Sequence, residues 1–167
     1  MKQIEISGAN RLPEAKRERV ACRCILLEEG RLLMSVLKKR DLMLTPGGGK
    51  EPGETDEECV IRETEEETGV LVRPLRPLVT VTEYYEDVRY VTHYFLCERT
   101  GRGAQRLTPG EIRWQLEPEM LPLGDVLALF SHHADFAADE EKRGCYLREY
   151  EALKGAVEEL KRLNRSC

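Results

Sequence analysis

The chain has 167 residues, 41% hydrophobic and 34% charged, with a net charge of −5. That apolar share can bury a core without staples, which excludes wholesale disorder and fibrous structure. The negative charge argues against a general nucleic-acid binder, and no apolar run approaches the ~18 residues of a membrane helix. The N-terminal sequence Met1-Lys2-Gln3-Ile4-Glu5 has no apolar leader, so a cytoplasmic protein with no membrane partner is expected. Length predicts one domain over residues 1–167, with a core at about 20–130 and a helical extension at about 131–167.

The first 19 residues, with Arg11, Lys16, Arg17 and Arg19, read as an extra strand or a loose arm. Val20–Leu27 and Arg31–Leu37 then read as two strands joined by the turn Glu28-Glu29-Gly30. Alternation places Cys22 and Cys24 on one face of the first strand, and all six cysteines (22, 24, 59, 97, 145 and 167) are expected to be reduced thiols. Leu42–Thr45 is a short third strand that stops at Pro46-Gly47-Gly48-Gly49, a stretch too permissive for regular structure. A helix follows, opened by the capping-box pair Thr55 and Glu58 and closed by Gly69. Downstream, Val79–Tyr85 and Val88–Cys97 form a second hairpin around Glu86-Asp87, and a shorter strand contains Ile112-Arg113-Trp114. Helices are expected at Leu123–Phe130 and from about Ala138 to Leu163, although Gly144 and Gly155 weaken the second. The order is that of a mixed α/β domain with helices packed on a sheet.

Charge is concentrated in one place. Residues 54–67 hold eight carboxylates against Arg62 alone, a balance of −7 that leaves the rest of the chain at +2. On a helix, Val60, Ile61, Thr64 and Thr68 form the buried stripe, while Glu63, Glu66 and Glu67 converge at i, i+3 and i+4. Carboxylates ~5 Å apart repel by ~3 kcal/mol per pair at an effective dielectric of 20, a sign that a divalent cation reverses. Oxygen-only donors favour Mg²⁺ or Mn²⁺. The bland alternative is a solvated acidic face, which Glu-rich helices often present.

The stretch Gly48-x5-Glu54-x7-Arg62-Glu63-Thr64-x-Glu66-Glu67-x-Gly69-Val70 resembles the Nudix box, and Pro46-Gly47-Gly48 is similar to that family's lead-in. Thr64 departs from the pattern, which has a bulky aliphatic residue there. The resemblance implies an α/β/α sandwich, a mixed sheet with helices on both sides. It further implies Mg²⁺-dependent hydrolysis, with Mn²⁺ able to substitute, of a diphosphate linkage in a nucleoside diphosphate derivative. By position Glu63, Glu66 and Glu67 would ligate the metal with the Gly47 carbonyl, Arg62 would orient a carboxylate, and Glu54 would support the shell. The alternative is a related module that senses a nucleotide without turning it over.

Outside the box, Lys39 and Arg40 could touch phosphate or form a basic surface turn, and Tyr85 could stack on a base or pack within the sheet. Trp114 reads as core. Some relatives use a loop glutamate beyond the second hairpin as general base; Glu111, beside the turn Pro109-Gly110, is the matching choice, with Glu98 its rival. The expected partner is a small nucleotide substrate rather than nucleic acid, with a homodimer left open.

Overall fold

The computed structural model describes residues 1–164; Cys167 lies outside the described residues. Twelve α and β elements run in the order β1 (Lys2–Ser7), β2 (Arg17–Glu28), β3 (Arg31–Leu37), β4 (Leu42–Leu44), β5 (Gly47–Gly49), α1 (Asp56–Thr68), β6 (Val70–Tyr85), β7 (Val88–Arg102), α2 (Pro109–Trp114), β8 (Leu116–Pro122), α3 (Leu123–Ser131) and α4 (Glu140–Asn164). The strands form a mixed sheet, β1-β6-β7-β2-β3-β4, with β5 added to β2 and β8 to β3. No helix among the described residues is long and apolar enough to cross a membrane.

Alternation along β2 sets the layers. Cys22, Cys24 and Leu26 point to one face, where they pack with Cys59 and Val60 of α1 and with Phe95 and Cys97. Ile25 points to the other face and joins Val79, Tyr94, Phe130, Tyr146 and Leu153, a larger core that α3 and α4 cover. The α/β/α sandwich expected from the sequence is therefore present, and α4 is built into its second layer.

Several local expectations need correction. The first hairpin turns at Glu29-Gly30 with φ of 50° and 75°, but it pairs only at Leu27↔Leu32 and Glu28↔Arg31. Beyond that, the edge of β2 is taken by β5, with Arg23 opposite Gly47 and Cys22 opposite Gly48, so the glycine run is a strand rather than irregular backbone. β3 departs to lie between β8 and β4. The second hairpin is longer than its β-branched run, because register shifts carry both strands past Pro74 and Pro77. Ile112–Trp114 is not a strand: Thr108 and Glu111 form a capping box that starts α2, and the strand begins after it, at Leu116. Trp114 is only partly buried, with the Arg40 guanidinium 5.6 Å from its ring centre. Ile61 is 36% exposed; Cys59 takes its place in the buried stripe of α1.

The N-terminal segment is β1, parallel to β6 from Lys2↔Val79 to Ser7↔Tyr84. α4 crosses this edge closely. A Cβ at Gly155 would come within 3.1–3.3 Å of Lys2, Ile4 and Val79, so the glycine that weakens the helix locally permits its packing. Because Leu153 of α4 is 1% exposed in the main core, Leu153→Ala should cost ~2–5 kcal/mol in urea denaturation. An unchanged midpoint would show α4 to be an appendage.

Candidate active site

Helix α1 is fixed at both ends. Thr55 Oγ1 accepts from Glu58 N at 3.1 Å while Glu58 Oε2 accepts from Thr55 N at 2.7 Å. At the other end Gly69, at φ 67°, donates to Glu65 O at 2.7 Å. The next carbonyls, which a helix leaves without partners, are met by the loop after β7: Arg106 N donates to Glu66 O at 2.8 Å and Gln105 Nε2 to Glu67 O at 2.6 Å. Thr64, polar where the box has an aliphatic residue, fits its buried position because its hydroxyl donates to Val60 O at 2.6 Å.

Arg62 gathers the acidic side chains. Its Nε and Nη2 donate to the two carboxylate oxygens of Glu54 at 2.7 and 3.0 Å, and Nη1 donates to Glu63 at 2.7 Å and Glu66 at 3.2 Å. Nη2 also reaches Gly49 O at 3.1 Å, which ties the helix to β5. This pairing holds the Glu54 carboxyl down at about 2. Glu63 is raised instead, first by burial and then by the charges of Glu66 and Glu111, with Arg62 opposing. It lies directly on Gly48, where an added Cβ would come within 2.4 Å of its Oε2.

Glu67 Oε2 accepts from Ser35 Oγ at 2.6 Å and from Gly47 N at 3.1 Å. Burial pushes this carboxyl up to about 7 despite those bonds and the nearby Arg23 charge. Among the described residues no group of three Asp, Glu, His or Cys side chains is gathered tightly enough to enclose an ion as it stands. Arg62 holds Glu63 and Glu66, and the donors to Glu67 use one oxygen only. The donor chemistry nonetheless fits a hard divalent cation: oxygen carboxylates in excess of positive charge, two of them, Glu63 and Glu67, raised first by burial and further by neighbouring carboxylates.

A cleft of about 900 Å³ opens beside Gly48 and Gly49. Tyr85 lines it, whereas Lys39 and Arg40 do not. Lys39 is exposed, and Arg40 is paired with Glu141 on α4. Glu111 lies near enough to Glu63 to raise its carboxyl, and its own Oε2 accepts from Thr108 N at 2.7 Å. Glu98, on β7, is occupied by an ion pair with Arg73 on β6.

The model of the NUDIX domain matches residues 16–140. The chain belongs to the Nudix family. It is 36% identical over 90 residues to diphosphoinositol polyphosphate phosphohydrolase 3-alpha of Mus musculus, covering 53% of this chain and 54% of that one. The Homo sapiens protein of that name is 35% identical over the same length, so the chain spans about half the length of the curated relatives it matches. Among solved structures, a Nudix hydrolase from Nitrosomonas europaea aligns with a TM-score of 0.62 at 16% identity, covering 87% of this chain and 89% of that one. A UDP-X diphosphatase aligns at 0.54 and 19% identity, covering 68% and 54%. At these identities the structures show a shared Nudix fold.

Sequence reading missed Arg23 and Ser35. Each was legible only as a polar residue interrupting an apolar strand run, Cys22-Arg23-Cys24 and Met34-Ser35-Val36. A raised folded-state pKa means that ionised Glu67 weakens the fold as pH climbs from its unfolded value near 4.5 through about 7. In the metal-free Nudix protein Glu67→Gln should therefore be more stable than wild type at pH 8 by ~1–3 kcal/mol, and the gain should vanish by about pH 5. Melting curves across that range measure it.

Proposed function

We propose that this Nudix protein is a pyrophosphohydrolase that cleaves a diphosphate linkage in a small nucleoside diphosphate derivative with Mg²⁺, for which Mn²⁺ can substitute. The observation that carries the reading is the Arg62-organised set of Glu54, Glu63 and Glu66, with Glu67 alongside, resting through Glu63 on Gly48, a residue that lines a cleft large enough for such a ligand. The curated relatives, phosphohydrolases by name, support it. We assign Glu63, Glu66, Glu67 and the Gly47 carbonyl to hold the cation. Bound there, it would neutralise phosphate charge and lower the pKa of a coordinated water.

The chain's own residues do the remaining work. Arg62 fixes the carboxylates against their mutual repulsion, with Glu54 anchoring the guanidinium from the loop before the helix. Glu111 takes the proton of the attacking water: it is close to Glu63 and, unlike Glu98, has no arginine partner among the described residues. Tyr85 packs against the substrate in the cleft. We read the enzyme as cytoplasmic, with its cysteines as reduced thiols.

Hydrolysis of a panel of nucleoside triphosphates, ADP-ribose, nucleotide sugars and dinucleoside polyphosphates tests this reading. At least one should be cleaved, chelator should abolish cleavage, and Glu66→Gln should lower kcat by ~10²-fold or more. A protein that binds nucleotides without cleaving any would instead be a sensing module.

Glu111→Gln separates catalysis from capping, because Gln also serves in a capping box. The variant should melt with wild type yet lose ~10²-fold in kcat with little change in KM, while Glu98→Gln does much less. Near wild-type turnover would return the base to the box itself.

A further inference from the structure

The cleft holds more positive charge than the proposed reaction uses. Arg23 projects from β2 into it, one position from the α1-facing Cys22 and Cys24, and its charge is felt by Glu67. Its Nη1 donates to Thr45 O at 2.5 Å, but Nε is the buried side-chain nitrogen that finds no hydrogen-bond partner among the described residues, with Glu149 Oε1 3.7 Å away. Arg23 is thus held by one hydrogen bond and one long ion pair, fewer contacts than its five donors allow.

Two further arginines stand at the rim. The Arg19 guanidinium lies over Gly49, with nitrogens 3.6 and 3.8 Å from where a Cβ would be. Arg143, at the start of α4, sits beside Gly144, whose own Cβ position is 3.6 Å from Tyr85 Oη. Neither guanidinium has a carboxylate or hydrogen-bond partner among the described residues, although other surface arginines here, such as Arg17 with Asp87, are paired. The acidic residues of the cleft are largely answered: Glu83 lies 3.5 Å from Arg148, and Glu141 pairs with Arg40, which leaves Glu140 at the outer edge. Between the cations, the rings of Tyr85 and Tyr90 meet edge to face at 6.4 Å and offer an apolar wall.

We propose that this cleft binds a second phosphorylated group of the substrate, with Arg23, Arg19 and Arg143 meeting its phosphate oxygens and Tyr85 and Tyr90 packing its carbon skeleton. The inference rests on the pyrophosphohydrolase reading and deepens it. The preferred substrate carries a phosphomonoester on the moiety beyond the scissile diphosphate, where a nucleotide sugar carries only hydroxyls. Arg23 belongs to both regions, since it lies near Glu67 on one side and lines the cleft on the other. Its guanidinium fork suits a phosphate in a way that a lysine would not reproduce.

Calorimetric titration in chelator tests it, because any phosphate bound then is held by arginines rather than by a cation in the box. Three probes serve: adenosine 3′,5′-bisphosphate, myo-inositol hexakisphosphate, and AMP as the one-phosphate control. At least one of the first two should bind ~10-fold more tightly than AMP, and which of them does so distinguishes a phosphorylated nucleoside from a phosphorylated polyol. Arg143→Gln, an exposed change, should weaken that probe by ~5-fold or more at an unchanged melting temperature, and Arg23→Lys, which keeps the charge beside Glu149 but loses the bond to Thr45 O, should weaken it by as much while the melting temperature falls. Equal affinity for AMP and both polyphosphorylated probes, or undiminished affinity in both variants, would overturn the proposal. Hydrolysis is read separately. Cleavage with no arginine-dependent binding refutes the subsite alone, and binding without cleavage of any diphosphate refutes the pyrophosphohydrolase reading alone.

Discussion

Like-charge repulsion on α1 is the constraint around which this Nudix structure is organised. Glu63, Glu66 and Glu67 share one side of a helix that also faces Glu54 from the preceding loop, and in water such a surface would spread apart. Arg62 prevents this by engaging both oxygens of Glu54 and one oxygen each of Glu63 and Glu66, as well as the Gly49 carbonyl. One guanidinium thereby fixes side-chain geometry and joins the helix to β5. Substitution of Arg62 would leave partly buried carboxylates facing one another, a far larger perturbation than loss of a surface ion pair.

Backbone approach is the second requirement of the site. Gly47 sits at φ 144°, and a Cβ there would come within 2.1 Å of Cys22 O, so the strand that lines the carboxylates can pair with β2 only as glycine. Gly48 is bare for a different reason: the Glu63 carboxylate rests on it. The glycines thus bring a hydrogen-bonding backbone against an acidic helix, with Gly47 N donating to Glu67. The loop that satisfies the C-terminal carbonyls of α1 leads directly into α2, which explains how Glu111 comes to lie near Glu63.

On the opposite face the sheet carries a buried polar network. Glu149 of α4 is fully buried; its Oε2 accepts from Thr45 Oγ1 at 2.8 Å and its Oε1 from Tyr94 Oη at 3.0 Å, with Arg148 and Arg23 at 3.4 and 3.7 Å. A charge so placed is tolerated only when partnered, so the network fixes how α4 docks on the sheet as much as the apolar core does. It also sets the floor of the cleft, because the same helix supplies Arg143 and Arg148.

The sequence by itself determined the box, the caps of α1 and a mixed α/β domain, because these depend on short-range spacing: capping pairs three residues apart, carboxylates at i, i+3 and i+4, and alternation along β2; the three layers followed only from the family resemblance that the box carries. It misplaced features that depend on what lies alongside. The glycine run became a strand because β2 offered a free edge. Ile112–Trp114 became helical because the capping box of Thr108 and Glu111 outweighed β-branched and aromatic propensity over three residues. Tertiary structure alone decided that Arg40 turns to Glu141, that Arg23 is buried between Glu67 and Glu149, and that the N-terminal strand and the last helix close one cleft. Residues more than a hundred positions apart meet there, and no local periodicity encodes such a meeting. Only the packing of α4 across the sheet brings it about.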